Sequence, residues 1–124
     1  MHELIELTER LLQSIAEADW ATYVELCDPT LTAFEPEACG QLVEGMEFHR
    51  FYFDLGTAPG ACQATMVQPH VRQLGEDVAV VSYNRIVQRV DEEGRRCSAC
   101  FEETRVWQRQ AGAWKHVHFH RSAV

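Results

Sequence analysis

The sequence predicts an α+β protein in which helices come first and a strongly curved antiparallel sheet follows. Apolar residues recur at helical spacing as far as residue 55, and from about residue 61 they alternate with polar ones at the period of a strand. The strand-like stretches are long and separated only by Gly75-Glu76, Asp91 to Gly94 and Gln110-Ala111-Gly112, so consecutive strands pair as hairpins in a meander. Segregation of this kind marks the α+β class, and the first helix is long enough to lie in the concave face of the sheet.

Residues 3–17 place Leu4, Ile5, Leu7, Leu11, Leu12 and Ile15 on one stripe, with Glu3, Glu6, Glu9, Arg10 and Glu17 opposite. Asp19 is a good N-cap for a second helix, whose stripe is Trp20, Tyr23, Val24 and Cys27 and which Asp28-Pro29 ends. Leu31 to Phe34 reads as a short strand. A third helix, about residues 43–54, carries Phe48, Phe51, Tyr52 and Leu55 at i, i+3, i+4 and i+7, ahead of the turn-rich segment Gly56 to Gly60. These aromatic stripes are expected in the core. The strands run 62–74 with a break near Pro69, then 77–91, 95–109 and 113–121.

The 124 residues fit one domain, 1–124, with no internal repeat and no linker. Nineteen acidic against eleven basic residues give a net charge of −8 and a pI near 5.1. Such a field repels phosphate backbones and anionic membranes, so neither nucleic acid nor membrane is an expected partner. The longest strictly apolar run, Val78-Ala79-Val80-Val81, is far short of the roughly 20 residues that cross a bilayer. The N-terminus carries acids where a signal peptide carries positive charge, and the cysteines (27, 39, 62, 97 and 100) are odd in number, which predicts a cytoplasmic protein with free thiols. With no Gly-rich phosphate loop and no nucleophile elbow, no cofactor is expected.

Ten of the eleven basic residues are Arg, the residue suited to planar capture of carboxylate or phosphate. Period-two facing groups Val81, Tyr83, Arg85 and Val87 on one strand, Glu103, Arg105 and Trp107 on the next, and Val117, Phe119 and Arg121 on the last. If these faces point inward, three guanidinium groups enter an apolar concavity and need an anion. That anion is either a ligand or an internal carboxylate, for which Glu103, Glu102 and Glu35 are the candidates. Cys97 and Cys100 fall on opposite faces of a strand, about 10 Å apart, too far for a disulfide. His116, His118 and His120 share a face and read as surface or interface histidines; no metal site is expected.

Longer blocks carry a family resemblance: Cys27-Asp28-Pro29, Thr32-Ala33-Phe34-Glu35-Pro36-Glu37-Ala38, Leu42-Val43-Glu44-Gly45, Phe48-His49-Arg50-Phe51-Tyr52-Phe53, Gln68-Pro69-His70, Glu102-Glu103-Thr104-Arg105-Val106-Trp107 and Val117-His118-Phe119-His120-Arg121-Ser122. From about residue 3 to 122 the chain closely resembles the association, or hub, domain of calcium/calmodulin-dependent protein kinase type II. The resemblance implies the cone-shaped cystatin-like or SnoaL-like fold of the nuclear transport factor 2-like superfamily. It also implies homo-oligomers, in which dimers formed through the sheets stack into rings of roughly a dozen or more subunits. Hub domains of this family bind small carboxylates such as 4-hydroxybutyrate in a cleft lined by His and Arg. The matching positions here are His49, Arg85, Arg105 and Arg121, with Tyr83 beside them in the Tyr-x-Arg strand.

Two departures stand out. Asp54-Leu55-Gly56-Thr57 lacks the Trp that closes the family's helix at the pocket mouth, and Cys97-Ser98-Ala99-Cys100-Phe101 replaces a small polar segment. No kinase, calmodulin-binding segment or linker is contained in the chain, which reads as a stand-alone hub relative or a piece of a longer protein. The leading expectation is a non-enzymatic oligomerisation scaffold with a carboxylate cleft. The alternatives are a stand-alone carboxylate sensor and a ketosteroid-isomerase-like enzyme that recruits His49 and Tyr83.

Overall fold

The computed structural model describes residues 2–124. Helix α1 spans Glu3–Ala16, and the His2 ring accepts a hydrogen bond from the Leu4 amide at its start. Its buried face is Leu4, Thr8, Leu11, Leu12 and Ser14, while Ile5, Leu7 and Ile15 are only half-buried. The two buried hydroxyls are satisfied within the helix, Thr8 donating to the Leu4 carbonyl at 2.7 Å and Ser14 to the Leu11 carbonyl at 2.6 Å. Helix α2 spans Trp20–Leu26, and Asp19 caps it as expected by accepting from the Thr22 amide.

This second helix is shorter than its stripe suggests: Cys27 already belongs to strand β1, Cys27–Phe34, and Val24 is exposed. A 3₁₀ turn, Pro36–Ala38, and a two-residue strand β2, Val43–Glu44, lead to helix α3, Glu47–Asp54. The expected helix from residue 43 therefore starts four residues late. Val43 pairs with Ala33 in the sheet, and Gly45 turns the chain at φ +81°, where its amide donates to the Leu31 carbonyl.

Four long strands follow: β3 Cys62–Gln73, β4 Val78–Val90, β5 Arg96–Gln110 and β6 Ala113–Ala123. The six strands form one sheet in the order β2-β1-β6-β5-β4-β3. The meander β3 to β6 is antiparallel as expected, with a register shift in β3 at Gln68-Pro69. The pair β1–β6 is parallel, because β1 arrives from the helical half of the chain rather than from a hairpin.

The core lies between the helices and the concave face. Leu4, Leu11 and Leu12 of α1 and Tyr23 and Leu26 of α2 meet Ala79 and Val81 of β4, Trp107 of β5 and Phe119 of β6. Trp107, fully buried, donates from its indole N–H to the Thr8 hydroxyl at 3.2 Å and so fixes α1 across the sheet.

Helix α3 departs most from its expected facing. Phe51 and Leu55 are 62% and 68% exposed and Tyr52 is also exposed, while the side turned to the core carries His49, with Phe48 and Phe53 half-buried beside it. Leu11→Ala is expected to lower stability by about 2–5 kcal/mol in denaturant unfolding, whereas Leu42→Ala, at an exposed position, leaves it within about 0.5 kcal/mol.

Candidate functional site

Register places the predicted site residues in three rows across the concave face. Val81, Arg105 and Phe119 lie side by side on β4, β5 and β6; Tyr83, Glu103 and Arg121 form the next row; Arg85 and Phe101 begin the third. Alternation along each strand turns all of them inward, beneath α2 and α3. His49 enters from α3, with its ring 6.0 Å from that of Tyr23 and 5.5 Å from that of Phe119.

Glu103 is the centre of the arrangement. Its buried carboxylate accepts from the Tyr83 hydroxyl at 2.6 Å and from Arg105 Nη2 at 3.0 Å on one oxygen, and from Arg85 Nη1 at 3.4 Å on the other. Arg105, 1% exposed, also donates through Nε to the Tyr83 hydroxyl at 2.8 Å and stacks its guanidinium 4.5 Å from the Phe119 ring. Burial raises the Glu103 carboxyl, but Arg105, Arg85 and the two hydrogen bonds outweigh it and hold the group below the ordinary carboxylate value. Burial opposes the charge on Arg105 as well, and Tyr83 with Glu103 overrides it, so Arg105 stays cationic. Tyr83 is pushed up to about 12 by burial and remains a neutral donor.

Of the internal partners considered, Glu103 thus serves Arg85 and Arg105. Glu35 serves His49, whose Nε2–H donates to the carboxylate at 2.9 Å with both groups buried. Arg121 stands apart at the rim, half-buried, where Nη2 donates to both oxygens of Glu37 in the 3₁₀ turn. Glu37 was not among the candidate partners. After these pairings three buried donor or acceptor atoms still lack a partner among the described residues: His49 Nδ1, Arg85 Nε and Arg121 Nε.

His116 overturns its expected position. It is fully buried, not on the face of His118 and His120. The register of β6 shifts between Val106–His118 and Trp107–His116, so Val117 is an extra, unpaired residue and the facing switches across it. Trp114 and His116 point inward before this bulge, Phe119 and Arg121 after it, and Val117 belongs to neither set. The signal was present in the spacing: Trp114 and Phe119 are five residues apart, an odd interval that a regular strand cannot place on one face.

Arginine has no acceptor, so Arg105 Nη1 donates to His116 Nε2 at 3.4 Å and the proton of the ring sits on Nδ1, which faces Cys27 Sγ at 3.5 Å. Burial and then the Arg105 charge keep His116 well below its ordinary value, and burial pushes the Cys27 thiol up to about 12. A neutral imidazole beside a protonated thiol is a packing contact, not an activated nucleophile. Among the described residues no group of three or more His, Cys, Asp or Glu side chains has metal-binding geometry, and no helix is long and apolar enough to cross a membrane.

A small helical cap on a curled sheet is the fold of nuclear transport factor 2-like proteins. A Salmonella enterica protein of that superfamily, 22% identical over 98% of this chain and 88% of its own, superposes with a TM-score of 0.79, which shows the shared fold. The sequence is more specific. Residues 1–124 match the calcium/calmodulin dependent protein kinase II association domain, and the chain belongs to that family. It is 48% identical over 98% of its length to the calcium/calmodulin-dependent protein kinase type II alpha chain of Drosophila melanogaster, and spans 23% of that relative. The association domain of the Caenorhabditis elegans kinase superposes with a TM-score of 0.92 at 44% identity, covering 97% of this chain and 92% of the other.

Two outcomes check the site. Glu103→Gln leaves two guanidinium groups without their counter-ion and is expected to cost about 3–5 kcal/mol in urea unfolding, much of it recovered when Arg105→Met is added. Because His116 is lowered in the folded state, the unfolded chain takes up its proton first as pH falls below 6.5. Stability is therefore full above 6.5 and declines below it by about 1.4 kcal/mol per pH unit for this one group, a slope that His116→Gln flattens in unfolding curves between pH 8 and 5.

Proposed function

We propose that this chain is a self-associating hub, in which dimers formed through the sheets assemble into a ring of roughly a dozen or more subunits. The observation that carries the reading is the outer face of α3. Phe51 and Tyr52 on this eight-residue helix and Leu55 at its C-cap stand exposed, in a chain that belongs to an association-domain family. Three large apolar side chains left in water on one short helix favour contact with another subunit over solvation. In this role the assembly concentrates whatever is joined to it, raising effective concentration without any new chemistry. The five free cysteines accord with a reducing cytoplasm.

The second part of the proposal is a cleft for a small carboxylate at His49, Tyr83, Arg85, Arg105 and Arg121. The partnerless Nε–H groups of Arg85 and Arg121 support it, since a ligand carboxylate satisfies such donors. Glu103 already holds Arg85 and Arg105, so Arg121 at the rim, once released from Glu37, is the group a ligand engages first. An isomerase reading has less support: Glu103 is locked by two guanidiniums and a phenol, and arginines around the cleft suit holding an anion better than abstracting a carbon-bound proton.

Native mass spectrometry is expected to give a dominant species of a dozen or more subunits, and Phe51→Glu to shift it toward dimers; a parent protein that is a clean monomer or dimer overturns the ring. Small carboxylates at millimolar concentration should raise the melting temperature of the parent and not of Arg121→Ala, and the absence of any rise removes the cleft while leaving the ring intact.

A further inference from the structure

Four of the five thiols are exposed, and two of these share a neighbour. Cys62 on β3 and Cys97 on β5 are both directly opposite Arg89 on β4, so a guanidinium stands between two thiols in a single row on one face of the sheet. The row lies at the open ends of these strands, where Cys62, Arg89 and Cys97 are all exposed. These residues line a groove of about 640 Å³ together with Arg96 and Ser98.

One end of the groove is built tightly. Ala61 accepts from the Val90 amide at 3.0 Å, and a Cβ on Gly60 would fall 2.3 Å from the Val90 carbonyl oxygen, so only glycine lets the chain pass there. Of the three acids in the adjoining turn, Asp91 and Glu93 pair with Arg95, and Glu92, like Arg89 and Arg96, has no ion pair among the described residues. The lining of the groove itself carries arginine and no acid, in a chain of net charge −8. From α1, Glu9 and Glu17 border Cys62 on its other side, so Cys97 has the more positive surroundings of the two.

We propose that this groove is a site of reversible thiol modification, in which Arg89 holds an anionic low-molecular-weight disulfide and Cys97, then Cys62, exchanges with it. The Cys97 thiolate, its proton released to water, attacks one sulfur of the bound disulfide. The S–S bond of the reagent breaks, the Cys97–S–S–R bond forms, and the other half leaves as a thiolate. Geometry excludes an internal competitor. Cys62 and Cys97 are two strand spacings apart, about 9.5 Å between Cα atoms, beyond the roughly 7 Å limit for a disulfide. Cys100 faces the opposite side of the sheet, so no second thiol of the chain resolves the adduct and it persists until an external thiol reduces it.

The remaining exposed thiols are built-in controls, since Cys100 is opposite Ile86 and Cys39 lies in the 3₁₀ segment beside Glu37. The assembled protein is treated with glutathione disulfide, and adducts are followed at each cysteine by peptide mapping. Cys97 and Cys62 are expected to react about fivefold or more faster than Cys100 and Cys39, the size of a single favourable charge contact. The exposed Arg89→Gln variant should bring all four to one rate, and the neutral bis(2-hydroxyethyl) disulfide should show no preference in either protein. Equal rates in the parent, a preference unchanged in Arg89→Gln, or covalent dimers linked through Cys97 in place of the mixed disulfide each overturn the proposal.

Discussion

A single buried carboxylate sets the terms for the interior of this domain. Two arginines on neighbouring strands point into the cone and are buried; without Glu103 they form a repulsive pair in a medium of low dielectric. Glu103 meets both, and Tyr83 bridges Glu103 to Arg105, so β4 and β5 are tied by polar contacts at the level where apolar packing gives way to the rim. The balance is not neutral: one carboxylate faces two guanidiniums. His116 adjoins Arg105 and must stay uncharged, and the protonated Cys27 adds no charge of its own. At the rim, Arg121 is held separately by Glu37.

That arrangement depends on the bulge at Val117. With β6 regular, the parity that buries Phe119 and Arg121 would turn His116 and Trp114 outward and put a vacancy beside Arg105. The extra residue lets one strand feed the core with two sets of side chains. Trp114 and His116 pack low in the cone, while Phe119 supplies the face on which Arg105 stacks. A bulge of this kind also adds local twist, in keeping with a sheet that must curl around α1.

These physical causes explain what was legible in the sequence. The meander, α1 and the inward faces of β4 and β5 follow from regular periodicity, and regular periodicity is what patterns reveal. Glu103 was legible as a candidate partner because its strand position puts a carboxylate near arginines, whereas Glu35, expected for the same arginines, lies past the end of β1 and pairs with His49. The misses fall where regularity breaks: Gly45 delays α3, Cys27 passes straight from helix to strand, and Val117 inverts a strand. Glu37 escaped because its contact to Arg121 spans 84 residues and starts in a 3₁₀ turn with no periodic signal.

The facing of α3 is a miss of another kind. Its stripe of Phe48, Phe51, Tyr52 and Leu55 is amphipathic in the expected sense, yet the helix turns His49 to the core and leaves Phe51, Tyr52 and Leu55 outside. The preference for His49 is electrostatic: Glu35 is already buried on the adjoining segment, and an unpaired carboxylate there costs more than leaving aromatic surface in water. A monomer resolves that competition at the expense of an apolar ridge. Every added subunit also brings eight further net negative charges, so association must draw on contacts that salt screening does not weaken. An apolar ridge meets that requirement and a surface ion pair does not, which links the exposure of α3 to the same buried carboxylates that order the core.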